Sequence, residues 1–204
     1  MEQKSWWWLS SLSESVLYSS SYLEKAEKIL LILDLDETLI HATETKLSIA
    51  PDFQYSEYFV YKRPYLIEFL NEVSKYYKLA VWSSADDEYV NNIVKLIKPA
   101  GLEFEFVWAR SRCTLKRDYE LDDYVRIKRL KKVKKRGFLL EKVLIVDDSP
   151  EKTRENFGNA IYVIPFEGDM EDNELFLLSN FLKSIKDSSN VRTIEKRGWR
   201  NIRL

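Results

Sequence analysis

The sequence predicts an α/β protein with a central, mostly parallel sheet flanked by helices. Three observations predict it. Short apolar runs bounded by polar residues read as strands covered on both faces. Between them lie segments whose apolar residues recur at helical spacing. Acids and hydroxyls follow directly on the apolar runs, at the carboxyl strand ends where open α/β sheets bind their ligands.

In chain order, residues 1–27 read as an N-terminal extension carrying Trp6, Trp7 and Trp8. With one early lysine and Glu14 it does not resemble a signal peptide. The domain proper is expected over 28–186, opening on the strand "KILLIL" (28–33). Segment 42–62 breaks the alternation, and its "EYFVYK" reads as half of a small β-hairpin flap beside the end of the first strand. "PYLIEFLNEVSKYY" predicts a helix opened by Pro64, with Leu66, Phe69, Leu70, Val73 and Tyr77 on its inner face. "KLAVW" (78–82) is the next strand, followed by a helix in "DEYVNNIVKLIK" with Val90, Ile93, Val94 and Ile97 inward. The run 126–136, "RIKRLKKVKKR", places eight cations in eleven residues and predicts a helix with Ile127, Leu130 and Val133 along one buried edge. "EKVLIV" (141–146) and "IYVI" (161–164) are further strands, and "NELFLLSNFLKSI" (173–185) closes the domain as a helix. Residues 187–204 form a basic tail or docked extension.

Bulk composition excludes more than it names. The chain has 204 residues, 45% of them hydrophobic, which supports a folded domain with a real core. Its 32 basic and 33 acidic residues leave a net charge of -1, so no partner follows from charge alone. A lone cysteine, Cys113, rules out an internal disulfide and a cysteine zinc cage. No apolar run approaches the ~20 residues of a membrane helix, and a soluble, intracellular, cytoplasmic protein is expected.

The chemistry collects at the strand ends. Asp34 and Asp36 follow the first strand, Ser83 and Ser84 the second, and Asp147 and Asp148 the third. So many carboxylates on one edge repel unless a cation sits among them, and hard oxygen ligands suit Mg²⁺. Each aspartate could instead merely cap a helix, but a DxD on one strand and a DD on another make that the weaker reading. Two residues apart at a strand end, Asp34 and Asp36 can face the same way. One can then attack phosphorus while the other handles protons.

At these residues the chain resembles a known family. "DLDETLIH", "VWSSA", "YVRIKRL" and "VLIVDDSP" are similar to the four motifs of the haloacid dehalogenase (HAD) superfamily, and in particular to the small phosphatases that act on the C-terminal domain of RNA polymerase II. "YKRPYLIEFL" also resembles that branch, and the similarity runs over roughly residues 28–186. The resemblance implies a Rossmann-like HAD fold, and the absence of a long insertion between "VWSSA" and "YVRIKRL" implies no large cap domain. It implies Asp34 as nucleophile and metal ligand, Asp36 as general acid/base with its carbonyl on the metal, and Asp148, with Asp147 beside it, completing an Mg²⁺ site. Ser83 would hydrogen-bond the phosphoryl group and Lys128 would hold its charge, while Ser84 and Arg110 would touch substrate. Ser83 stands where the branch commonly has threonine, Arg129 where it has an acid, and Asp148 where it often has asparagine. Arg126 and Lys131 remain rivals of Lys128 for the basic role.

His41, the single histidine, is expected to pack structurally, and Cys113 to be a core thiol rather than a nucleophile. The implied activity is an Mg²⁺-dependent phosphomonoesterase acting through an aspartyl-phosphate on phosphoserine or phosphothreonine in a protein, because an uncapped cleft suits a bulky substrate. A polynucleotide end phosphatase is the alternative, carried by the basic run and by tryptophans able to stack on bases. A non-catalytic binding protein on the same fold is a further one. Dehalogenation is disfavoured because it needs neither Asp36 nor Mg²⁺.

Overall fold

The apolar run after Lys28 becomes β1 (Leu30–Leu33), the middle strand of a five-stranded sheet. In this computed structural model residues 28–118 and 122–201 are described; the extension bearing Trp6, Trp7 and Trp8 and the last three residues lie outside them. The sheet order is β10 (Ala160–Tyr162), β9 (Val143–Asp147), β1, β5 (Lys78–Trp82), β6 (Val107–Trp108), and every neighbouring pair is parallel. The chain starts at the centre, builds outward through β5 and β6, then returns to the other side of β1 for β9 and β10. The reversal falls between β1 and β9, the switch point at which such sheets bind ligands.

Alternation along the strands divides the core in two. Leu31, Leu33, Leu79, Val81, Leu144 and Val146 face one way. They pack under α1 (Leu66–Val73), α2 (Asp87–Ile97) and α5 (Glu174–Ile185). Leu30, Ile32, Ala80, Trp82, Val143 and Ile145 face the other way, where cover is thinner. There Trp108 meets Trp82 edge-on at 4.9 Å and stacks on Phe106 at 4.1 Å. Leu130 and Val133 complete that face from α3 (Lys131–Lys134) and the residue before it.

Several expectations need correction. The helix after Pro64 begins at Leu66, because Tyr65 takes a left-handed φ of 65° that ends the turn before it. Its inner residues are nonetheless the expected ones, and Tyr77 donates its hydroxyl to the Leu182 carbonyl at 2.6 Å. The flap is a three-stranded antiparallel sheet, not a single hairpin. In it β4 (Tyr58–Lys62) lies between β2 (Ile40–Thr43) and β3 (Phe53–Tyr55). A second hairpin, β7 (Thr114–Asp118) with β8 (Asp123–Ile127), was not anticipated, and neither was β6. The basic run is not one helix. Arg126 and Ile127 end β8, Lys128 sits in extended chain, and only Lys131–Lys134 is helical, although Ile127, Leu130 and Val133 are all buried. The tail is docked through Asn201: Val191 and Trp199 join the main core, and the Trp199 indole donates to the Tyr162 carbonyl at 3.0 Å.

Candidate active site

The end of β1 delivers a buried carboxylate. Asp34 is 2% exposed, and its amide donates to the Val146 carbonyl of β9, which extends the strand pairing into the site. The chain then turns sharply: the Thr38, Leu39 and Ile40 amides all point back to the Leu35 carbonyl, with Glu37 at a φ of 57°. This turn brings Asp36 round to the end of β5. Arg63 pins it from behind. Fully buried, its guanidinium donates to the Thr38 and Ile164 carbonyls at 3.1 and 2.8 Å and pairs with both oxygens of Asp172 at 2.9 and 2.7 Å.

Of the cations in its run, Lys128 is the one that meets Asp34 and Asp147. Its ammonium is 0% exposed and lies 2.7 Å from both Asp34 Oδ1 and Asp147 Oδ2. The backbone holds it there, since its amide donates to the Lys152 carbonyl and its own carbonyl accepts from Asn156. Burial alone would lower the Lys128 pKa; the charges of Asp147 and Asp34 more than reverse that, and the group stays protonated. Arg126, by contrast, lies in β8, and Lys131 is exposed on α3.

The carboxylates of Asp34, Asp147 and Asp148 form one cluster, with one oxygen of each within 4.8 Å of the others. Burial raises the pKa of both Asp147 and Asp148, and the charge of Asp34 adds to it. Asp148 Oδ1 is buried and accepts no hydrogen bond. An all-oxygen donor set with one orphaned carboxylate oxygen fits a hard divalent cation, whose charge would favour the ionised forms. The Asp36 carboxylate stands outside this cluster. Ser83 donates to its Oδ2 at 3.2 Å and Tyr89 to its Oδ1 at 2.6 Å, while Ser83 itself accepts from the Ala85 amide at 3.0 Å. Burial raises the Asp36 pKa, only partly offset by the Tyr89 hydrogen bond. A group so placed holds a proton more readily than an exposed aspartate does.

Arg110 is exposed at the cavity beside Asp36, and its Nε donates to the Ser84 carbonyl at 3.2 Å, so Ser84 meets it through backbone. His41 sits on the flap with Nδ1 3.4 Å from Glu37 Oε1, and its ring lies 6.4 Å from that of Tyr61. Cys113 is half-buried, and burial pushes its thiol pKa up, away from the reactive thiolate. Three site residues were missed from sequence. Lys152 reaches to 3.9 Å from both Asp34 Oδ2 and Asp148 Oδ1. Tyr89 is the second donor to Asp36, and Glu37, half-buried among acids, has its pKa raised to about 7, first by burial and then by the charge of Asp36. A signal for Lys152 existed: it stands four residues, about one turn of helix, after Asp148 of "VDDSP". Tyr89 carried none, being one more aromatic residue on an amphipathic helix.

The family model of NLI interacting factor-like phosphatases matches residues 29–192. Nuclear envelope morphology protein 1 of Saccharomyces cerevisiae is 31% identical over 87% of this chain and 44% of its own length. CTD small phosphatase-like protein 2 of Dictyostelium discoideum is 31% identical over 81% of this chain and 29% of its own length, so the chain spans less than half of either relative. CTD nuclear envelope phosphatase 1 of Xenopus tropicalis is 31% identical over 91% of this chain and 79% of its own length. In fold the chain is similar to Fcp1, an RNA polymerase II CTD phosphatase, with a TM-score of 0.55 and 22% identity over 83% of this chain and 54% of that one. No helix among the described residues is long and apolar enough to cross a membrane. Two of these relatives are named for the nuclear envelope, so the names lend nothing to the expected cytoplasmic location. The motifs, the fold and the match over most of its length together make this chain a member of the NLI interacting factor-like phosphatase family, with a HAD-like fold.

Proposed function

We propose that the chain is an Mg²⁺-dependent phosphomonoesterase that acts through an aspartyl-phosphate on phosphoserine or phosphothreonine in a protein. The observation that carries the reading is the placing of Lys128 between Asp34 and Asp147 in full burial. A lysine held between two carboxylates lies close to where phosphoryl charge develops.

In this reading Asp34 Oδ2 attacks phosphorus, because Lys128 holds Oδ1 at 2.7 Å while Lys152 stands back at 3.9 Å from Oδ2. The phosphorus–oxygen ester bond breaks, and Asp36, protonated, gives its proton to the departing alkoxide. Asp36 then takes a proton from the water that attacks the phosphoaspartate, which frees Asp34 and inorganic phosphate. Ser83 and Tyr89 keep Asp36 aimed for both transfers, and Ser83 lies close enough to hold a phosphoryl oxygen. Asp34, Asp148 and Asp147, with the Asp36 carbonyl, would hold the Mg²⁺, which when bound neutralises phosphoryl oxygens. Arg110 meets the substrate at the cavity mouth, and the Ser84 carbonyl holds it there.

The structure lends the polynucleotide alternative less than its basic run did. Lys128 is buried, Arg129 pairs with Glu155, and Lys132 caps the Arg112 and Cys113 carbonyls. Hydrolysis of an aryl phosphate, of phosphoserine peptides and of 5′- and 3′-phosphorylated oligonucleotides tests the assignment. Mg²⁺-dependent turnover that EDTA silences, lost in Asp34→Asn with the fold retained, is the expected result. Asp34→Asn activity within about tenfold of wild type removes the nucleophile, and a preference for oligonucleotides moves the substrate class.

A further inference from the structure

We propose that the cavity beside Asp36 is a subsite for a basic side chain, so that the preferred substrate carries lysine or arginine close to the phosphorylated residue. The proposal rests on the phosphatase reading above and adds to it the chemical class of the flanking residue.

A cavity of about 610 Å³ runs outward from Asp36 between the antiparallel flap and the first turn of α2. Three tyrosines wall it. Tyr89 comes from α2, and Tyr55 and Tyr58 flank the β3–β4 turn. The Tyr89 ring lies 5.8 Å from that of Tyr55 and 6.0 Å from that of Tyr58, at 71° and 70°. Near-perpendicular planes make the walls of a cage rather than one stacked layer. Two of the hydroxyls are anchored, Tyr89 to Asp36 and Tyr55 by the Asn92 amide at 2.9 Å, so these rings are fixed before a ligand arrives. Aromatic faces held in this way attract cations.

The charges at the rim agree. Asp86 and Glu88 belong to the start of α2, where acids have an ordinary reason to be: Asp86 caps the helix by accepting from the Glu88 amide at 3.0 Å. That reason does not extend to Glu57, which enters the same cavity from the flap turn on the opposite side. Carboxylates from two unrelated elements thus converge on an aromatic cage. Arg110 is the one basic residue among those lining it, and its Nε is engaged by the Ser84 carbonyl. An apolar side chain would suit the rings and leave the carboxylates without a counter-charge. A lysine or arginine uses both, its methylenes along the rings and its head at the acids. In the reading above Asp36 protonates the leaving oxygen, so the residue that bears the phosphate sits over Asp36. An extended peptide advances about 3.3 Å per residue, so a side chain entering the cavity belongs to a near neighbour in sequence.

Matched phosphoserine peptides with arginine, lysine, norleucine, proline or glutamate at each flanking position in turn test this, compared through kcat/KM. A basic residue at one position is expected to exceed norleucine there by about tenfold or more. The double variant Glu57→Gln, Glu88→Gln should bring that ratio towards one. A preference for norleucine or proline, a basic preference spread evenly over all positions, or a ratio unchanged in the double variant overturns the proposal. If no phosphate ester is turned over, the aryl phosphate included, the phosphatase reading fails separately. The subsite is then read from binding of the same labelled peptides to wild type, where equal affinity for the arginine and norleucine forms overturns it.

Discussion

Asp36 is held at both oxygens by neutral hydroxyls, whereas Asp34 is held by a charged ammonium. That difference separates two acids only two residues apart. Burial leaves the protonated form of Asp36 accessible, although the Tyr89 and Ser83 hydrogen bonds oppose it. Asp36→Asn keeps the volume and removes the proton donor. Its turnover of an alkyl phosphate is expected to fall by about 10²–10⁴-fold, with a smaller loss on an aryl phosphate whose leaving group departs without protonation. The two rates, measured side by side, check this, and equal losses on both esters contradict the acid role. The carboxylates themselves were legible in the sequence, because Asp34, Asp36, Asp147 and Asp148 stand at the ends of unmistakable apolar runs. Their donors were less so. Lys128 was one cation among eight, favoured over Arg126 and Lys131 by the resemblance of "YVRIKRL" alone; in the folded chain its burial and two ion pairs set it apart.

Elements with a strong period were read correctly, and elements set by tertiary pairing were not. α2, α5 and β5 follow their apolar spacing to within a residue, and β1 begins two residues later than expected. β6 is two residues long, too short for any pattern, and exists because Val107 and Trp108 complete the ladder beside β5. The helical spacing of Ile127, Leu130 and Val133 was real burial with the wrong backbone: the pairing of Ile127 with Thr114 and the pull on Lys128 keep the chain extended there. The flap and the turn after β1 depend on Arg63, which no period announces. Arg63→Met should leave Asp172 and the Thr38 and Ile164 carbonyls without their donor. A loss of about 3–5 kcal/mol in stability is expected, as for one partner removed from a buried pair. Urea unfolding measures it, and a loss below about 1 kcal/mol would mean the clamp is dispensable.

At the scale of the molecule, the sheet has one thickly covered face and one thinly covered face, and the C-terminal residues belong to the first. Trp199 is 2% exposed against Phe181, with ring centroids 5.9 Å apart. Trp199→Ala is expected to cost about 3–5 kcal/mol by opening a cavity in the main core. Thermal unfolding would register this as a fall of several degrees in Tm, and an unchanged Tm would make the segment after α5 an appendage. Arg200, paired with Glu174, and Lys196, which donates to the Val191 and Ile194 carbonyls at 2.7 and 2.8 Å, fit the docked extension, one of the two readings its composition left open. Arg200 and Lys196 serve the docking. The strand order has a consequence for how the protein acquires its activity. Asp34, Ser83, Lys128 and Asp147 come from four well-separated stretches of chain, and β9, which brings Asp147, pairs with β1 only after the chain has crossed back over the sheet. Such long-range closures are slow to form. Refolding chains can bring Asp34 and Ser83 together before Asp147 arrives, so under the proposed function the return of turnover should coincide with the closing of β9 on β1, a clock for completion of the sheet.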